Sequence, residues 1–487
     1  MSDNMIQLTV FIFVSALIGA LTYLKCRGQR RDHNSQNKEY FLAGGGLSWI
    51  FVAGSITLTN LSTDQLVGMN GNQMMLLVWW ELAAVIGLII LAKVFIPVYY
   101  KYQCTTTTEL LEKRYHNKHI RAVIGGLFFL GNAFIYMPAV IYSGALLMQT
   151  MFKVDIPLIY LATLFALVGA FYAFFGGLRA VAVSDTYNGV LVLGMAVLVV
   201  ILALVAIDFD FSGIPAERLT LIGDENSPLP WQTLLTGMIF IQMYYWGTNQ
   251  TITQRAMAAP TVKEAQKGVF AAALIRIIVV PAIVVVPGIV SYKLYGDIGD
   301  TAYGRIVGDL MPGWLSGVFA AAMAAAVLST YNSLLNSATA LYVCDIHEAY
   351  FDKKPNVFKL SGYVTLVLTL LTLVLVPVYQ HADSIINLLQ QLNGLLSMPI
   401  LSIFIVGLLF TNVDARAAIA AVIFGVALYG SMTFSFSPFY VSLHYIHLMP
   451  ITLFSCVAFA LLLNKFAFGQ QTRWSGRFEP LIDKTTS

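Results

Sequence analysis

The chain has 487 residues, of which 58% are hydrophobic and only 11% are charged, and its mean hydropathy is +0.75. This balance excludes a soluble protein of that length and indicates a polytopic protein of the lipid bilayer. The formal net charge of +3 indicates no nucleic-acid partner, because the basic residues are sorted between alternate loops.

Apolar stretches long enough to cross a bilayer recur along the whole chain. We expect thirteen transmembrane helices, at about 5–25, 47–69, 74–99, 120–150, 156–177, 183–207, 231–250, 267–293, 314–344, 358–378, 384–410, 414–434 and 442–465.

Charge sets the expected orientation. One alternating set of loops carries 22 of the 28 basic residues and the other carries 4. The positive-inside rule places the first set in the cytoplasm. We therefore expect a multi-pass protein of the inner (plasma) membrane with its N-terminus outside and its C-terminus in the cytoplasm. The tail after Lys465 is too short for an enzyme or signalling module.

The second apolar stretch becomes polar part-way across the membrane. Eight of the eleven residues from 55 to 65 are polar. Because unpaired polar groups are costly in hydrocarbon, this segment must face other helices or a watery cavity. We expect the helix to open near residues 57–62, since freed carbonyls at membrane depth are how transporters hold small cations. The alternative is a polar seam between packed helices.

The ninth apolar stretch also combines close packing with hydroxyl groups. Its alanines allow neighbouring helices to approach closely. Ala326, Ser329 and Thr330 are spaced i, i+3, i+4 and so share a helix face. One backbone carbonyl and two hydroxyls form a half-cage for a hard monovalent cation. On their own these hydroxyls are also typical of ordinary helix–helix contacts.

Charged groups inside predicted spans usually mark binding sites or pathways. Glu81 and Arg276 lie too deep to reach the interface, which favours a binding role. Asp185, at the start of the sixth helix, fits an ion site or a structural ion pair equally well.

Aromatic side chains lie beside amides in the seventh helix, which carries Gln242 and Tyr245, and the eleventh helix carries Gln390. The alternative for the aromatic residues is an interfacial belt. Together with Gln65, Glu81 and Arg276, the amides form a hydrogen-bonding set suited to a polyhydroxylated solute.

These features lie within motifs that resemble those of the solute:sodium symporter family, and most closely its sodium/sugar branch. The matching runs are YFLAGGGLSW (40–49), TNLSTDQLVGMNG (59–71), FGGLRAVAVSD (175–185), YYWGTNQTITQRAMAA (244–259), EAQKG (264–268) and LSTYNSLLNSAT (328–339).

The resemblance implies an all-α membrane fold with a 5+5 inverted-repeat core of the leucine-transporter type. An extra N-terminal helix and cytoplasmic loop would occupy residues 1–46. The first repeat (helices 2–6) would span 47–210 and the second (helices 7–11) 211–410, followed by two C-terminal helices and the tail at 411–487.

The resemblance also implies the site residues, with Na⁺ as the coupling ion. The sodium ligands would be the carbonyls of Leu58, Leu61 and Ala326 and the hydroxyls of Ser329 and Thr330. A second sodium, found in some relatives, would use Asp185, Asn332 and Ser333. The solute site would comprise Gln65, Glu81, Gln242, Arg276 and Gln390, with Tyr245 as an inner gate.

The sequence therefore predicts a sodium-coupled importer of a hexose-like sugar that works by alternating access, and not an enzyme. Gln242 and Arg276 are longer than the residues of the galactose transporter, so the alternative is an importer of a sugar acid, polyol or other hydrophilic solute. A sensor built on a transporter fold is a further alternative. The oligomeric state is left open.

Overall fold

A computed structural model describes residues 9–14, 16–17, 20–21, 24, 41–435 and 437–475, without the side chains of 174–181. Within this part the protein is almost entirely helical. Of the first expected helix, 5–25, eleven residues are described, and all eleven are helical.

The first half of the described chain contains six helices. In chain order they are α1 Trp49–Asn60, α2 Thr63–Gly71, α3 Met75–Lys101, α4 Thr107–Tyr115, α5 Lys118–Phe152 and α6 Leu158–Ala206.

The second half begins with four short helices and continues with longer ones. They are α7 Ala216–Leu219, α8 Gln232–Leu235, α9 Met238–Gly247, α10 Gln250–Met257, α11 Val262–Tyr295, α12 Ala302–Leu310, α13 Gly313–Tyr350, α14 Val357–Tyr379, α15 Ile385–Leu409, α16 Ala415–Thr433 and α17 Tyr445–Phe466. Two short strands, β1 Phe410–Thr411 and β2 Arg473–Trp474, pair antiparallel.

Local sequence explains where several helices begin. Thr261 accepts a hydrogen bond from the Glu264 backbone N–H at the start of α11. Ser384 does the same at the start of α15, where it accepts from Asn387 N–H. Such side chains satisfy donors that the first helical turn leaves free.

All twelve expected spans after the first are helical, and nine helices of the described chain are long and apolar enough to cross a membrane. Two expected spans form the continuous helix α6. Both of its apolar parts pack on α13, since Gly169 lies against Tyr331 and Asp185 bonds Ser329.

Two of the expected spans are broken rather than continuous. The break between α1 and α2 falls at Leu61 and Ser62, inside the segment predicted to open. The break between α9 and α10 falls at Thr248 and Asn249, and the sequence analysis wrongly treated 231–250 as one uninterrupted span.

Candidate functional site

The two helix breaks meet at a cavity of about 110 Å³. All six residues predicted to contact solute line this cavity: Gln65, Glu81, Gln242, Tyr245, Arg276 and Gln390. They come from α2, α3, α9, α11 and α15, so the fold brings together residues that are far apart in the chain. Tyr136, at the end of a π-helical turn of α5, completes one wall.

A buried ion pair forms the polar centre of the cavity. Arg276 Nη2 lies 3.0 Å from Glu81 Oε2, and both side chains are at most 2% exposed. Gln65 Nε2 donates to the other Glu81 oxygen. The Arg276 guanidinium also lies 4.8 Å from the centre of the Trp246 ring. Because the pair is electrically neutral as a unit, it can be buried at membrane depth.

Gln242 is fixed by its neighbours on both ends of its amide. Its Nε2 donates to the Trp80 carbonyl at 3.1 Å, and its Oε1 accepts from Trp246 Nε1 at 2.9 Å. Gln242 therefore orients the aromatic ring that covers Arg276. The Gln390 side chain also lines the cavity.

Tyr245 closes a contact between the two broken helices. Its hydroxyl accepts a hydrogen bond from Asn60 Nδ2 at 2.9 Å, where Asn60 is the last residue of α1. The predicted gate residue thus touches the first break directly. Its ring packs edge-on against Trp246, with centroids 5.2 Å apart.

Several buried polar atoms at the site have no hydrogen-bond partner within the described part of the chain. They include Arg276 Nε and Nη1, Gln65 Oε1 and Asn60 Oδ1. Buried donors and acceptors are rarely left unpaired, so such atoms at a cavity are free to bind a hydroxylated ligand.

The first break exposes the carbonyls expected to bind sodium. In a continuous helix the Ser62 N–H would bond Leu58 O, but here it bonds Asn60 O at 2.9 Å. The Thr330 hydroxyl approaches Leu58 O at 3.5 Å and Thr59 O at 3.4 Å. The structure therefore places one predicted carbonyl and one predicted hydroxyl next to each other.

The remaining predicted sodium ligands lie nearby in the interior. Leu61 and Ala326 are fully buried, and Ser329 is nearly so. The Ser329 hydroxyl donates to Asp185 Oδ1, while the Ser55 hydroxyl donates to Asp185 Oδ2 at 2.6 Å. Asp185 therefore joins α1, α6 and α13, which agrees with a structural role as well as with an ionic one.

The three residues suggested for a second sodium are less closely associated. Ser333 Oγ lies 3.4 Å from Thr59 Oγ1, and no hydrogen bond joins Ser333 to Asp185 in the described structure. Neither polar atom of the Asn332 side chain has a partner among the described residues. The side-chain bonds thus link Asp185 to Ser329 and not to Asn332 or Ser333.

Arg255 was missed as an interior residue, because the sequence analysis counted it among the cytoplasmic loop charges. It is fully buried in α10. Its Nε donates to Thr59 Oγ1 at 2.8 Å and its Nη1 donates to the Thr251 carbonyl. The signal in the sequence was the Gly247–Asn249 break, which turns the following residues inward; Asn249 caps α10 by accepting from Thr251 N–H.

The sodium:solute symporter family model matches residues 40–425. The chain belongs to this family. As a family member it uses Na⁺ as its coupling ion, and it is a polytopic membrane transporter.

Individual sodium:solute symporters are similar to the chain over most of their length. An uncharacterized symporter, YidK, of Escherichia coli (strain K12) is 33% identical over 455 residues, which cover 88% of this chain and 78% of YidK. The sodium/glucose cotransporter of Vibrio parahaemolyticus is 30% identical over 462 residues, or 86% of this chain and 83% of the relative. The sodium/myo-inositol cotransporter 2 of Rattus norvegicus is 26% identical, covering 88% and 69%.

A solved sodium:solute symporter fold matches the chain closely. The substrate-bound outward-open state of a Na⁺-coupled sialic acid symporter superposes with a TM-score of 0.79 at 19% identity, covering 94% of this chain and 97% of the other. This likeness concerns the fold, and it confirms the predicted all-α architecture of the leucine-transporter type.

Proposed function

We propose that this symporter imports a neutral, hexose-like sugar together with sodium by alternating access. The buried Glu81–Arg276 pair at the cavity carries the proposal, because it offers acceptors and donors without net charge. Sugar hydroxyls both donate and accept, so they match such a pair. Two relatives are named for glucose and for myo-inositol, which supports the same solute class.

The sugar acid suggested by Arg276 is less well supported. An anion gripped by the guanidinium would compete with Glu81, whose carboxylate already lies 3.0 Å from Arg276 Nη2. The unpartnered Arg276 Nε and Nη1 can instead donate to neutral hydroxyl oxygens.

In the proposed mechanism sodium binds first. The carbonyls of Leu58, Leu61 and Ala326 and the hydroxyls of Ser329 and Thr330 would surround it, which steadies the α1–α2 break against α13. Gln65 and Glu81 then take the sugar, and the contact between Tyr245 and Asn60 opens to release it inward. An inward-negative potential supplies about 2.3 kcal/mol per charge per 100 mV, so one sodium concentrates a neutral sugar roughly 50-fold from voltage alone.

The proposal includes the orientation and organisation expected from the sequence. The N-terminus would lie outside and the C-terminus in the cytoplasm of the inner membrane. The repeats would occupy 47–210 and 211–410, so that the two breaks are equivalent positions in the two halves. This orientation is tested on intact cells with an impermeant thiol reagent. The reagent should label a cysteine introduced at Asp224 and should not label one introduced at Lys353.

The proposed function is tested by uptake of labelled hexoses and inositol into proteoliposomes with and without an inward sodium gradient. Sodium-dependent accumulation of a neutral solute is expected. Gln65→Ala should abolish uptake while the protein still elutes as a folded species, and so should Glu81→Gln combined with Arg276→Gln, which leaves neither charge buried alone. Thr369→Ala is the matched control, because it removes a buried hydroxyl whose hydrogen bonds in the described structure join it to its own helix and to Tyr331. Uptake that ignores sodium would contradict the proposal.

A further inference from the structure

Asp64 is a second acidic residue of the cavity that the proposed sugar and sodium sites do not use. It lies in the first turn of α2, one residue before Gln65, and it lines the same cavity. The Ser62 hydroxyl donates to its Oδ1. In the described part of the chain no basic side chain lies within ion-pair distance of Asp64, whereas Glu81 is paired.

Asp64 therefore determines the net charge of the cavity. The ionisable acids and bases that line it are Asp64, Glu81 and Arg276. Glu81 and Arg276 cancel, so one negative charge remains when Asp64 is ionised. Behind the cavity wall, Arg255 and Asp185 carry opposite charges and cancel at longer range.

Two local contacts stabilise the ionised form of Asp64 against the cost of burying its charge. The positive end of a helix dipole stabilises an acidic side chain in the first turn, and Asp64 occupies that position in α2. The Ser62 hydroxyl adds one donor to the carboxylate. Burial opposes ionisation, but Asp64 is only partly buried on the cavity wall, and these two contacts stabilise its charged form.

We infer that Asp64 is a specificity-determining residue whose carboxylate excludes anionic solutes from this cavity and admits neutral polyols. The inference rests on the proposed function and deepens it. At an effective dielectric constant of about 20, a solute carboxylate roughly 6 Å from Asp64 loses about 100-fold in affinity relative to its neutral counterpart.

The test compares sugars of similar size and shape that carry different charges. Glucose, glucuronate and glucosamine compete for sodium-driven uptake of the labelled neutral solute in proteoliposomes. In the natural protein glucuronate should compete about 100-fold more weakly than glucose. In Asp64→Asn the difference in affinity between glucose and glucuronate should shrink towards zero. The cationic glucosamine should instead compete more weakly, relative to glucose, than it does in the natural protein.

Control variants separate charge from shape. Asp64→Glu keeps the charge and should keep the rejection of glucuronate, and Asp64→Ser provides a second neutral variant if the amide impairs folding. Glu225→Gln changes an exposed charge in the loop between α7 and α8. It should alter the affinity of neither glucuronate nor glucosamine relative to glucose.

Three results would overturn the inference. Glucuronate competing as well as glucose in the natural protein, or unchanged relative affinities in both neutral variants, would remove the role of Asp64 while leaving neutral-sugar import intact. Sodium-driven uptake of glucuronate without uptake of any neutral sugar would overturn both the inference and the proposed function.

Discussion

Removal of the Thr330 hydroxyl should weaken sodium binding far more than folding. That hydroxyl lies 3.5 Å from Leu58 O and 3.4 Å from Thr59 O, at the outer limit of hydrogen bonding. The protein therefore loses little when it is deleted. A bound cation loses one of five proposed oxygen ligands, and interactions with a charged group are worth about 1.5–3 kcal/mol. Thr330→Ala should thus raise the half-saturating sodium concentration about 10- to 100-fold.

The assay is the sodium dependence of uptake in proteoliposomes at a fixed membrane potential. Thr330→Ser keeps the oxygen and should stay within a few-fold of the natural protein. Thr372→Ala deletes an equally buried hydroxyl that donates to Leu368 O at 2.8 Å within α14, and it should leave the sodium dependence unchanged. An unchanged half-saturating concentration in a folded Thr330→Ala protein would refute the assignment of Thr330 as a ligand.

Three further outcomes are expected. Arg276→Gln should destabilise the protein by about 3–5 kcal/mol because it leaves Glu81 buried and unpaired, whereas the double variant with Glu81→Gln should recover most of the thermal stability but no uptake; equal losses in both would contradict this. Burial raises the pKa of Asp300 to about 6. The stabilising contribution of protonated Asp300 is complete below the ordinary pKa of 3.8 and is lost as pH rises through about 6. Across that window the unfolding free energy relative to Asp300→Asn should fall by at most about 3 kcal/mol, which is measured as a lower melting temperature. A pH-independent difference between the two proteins would exclude the effect. Asn332→Ala deletes an amide without a partner in the described structure and should not change the sodium dependence of uptake. A large shift in that dependence would indicate that Asn332 contributes to sodium binding.

The first break was predictable because its signal is dense. Eight polar residues in eleven cannot form an ordinary lipid-facing helix, so the opening near Leu61 follows from solvation alone. The second break lies at Gly247, Thr248 and Asn249, after an apolar and aromatic stretch, and the polar residues that follow it were assigned to a loop because the expected span ended at 250. A single capping Asn is a common helix start, and here it lay inside a stretch long enough to span.

Contacts between distant segments were harder to predict from the sequence. Glu81 and Arg276 could be recognised as deep charges, but nothing local shows that they pair with each other. Arg255 was misplaced because counting loop charges assumes that every basic residue near a span end reaches water. Its burial depends on α10 turning inward after the second break, whose signal at Gly247–Asn249 the sequence analysis did not recognise.

The short distance between the two proposed sites has a consequence for how tightly the transported species are tied together. Leu58 and Gln65 are seven positions apart and flank the α1–α2 break, which at helical rise is roughly 10 Å. Sodium binding can therefore affect sugar binding directly, because the backbone of one short segment connects the two sites. The stiffness of that segment would then determine how much sodium is transported without sugar. A glycine inserted after Ser62 should leave a transporter that conducts sodium but accumulates little solute.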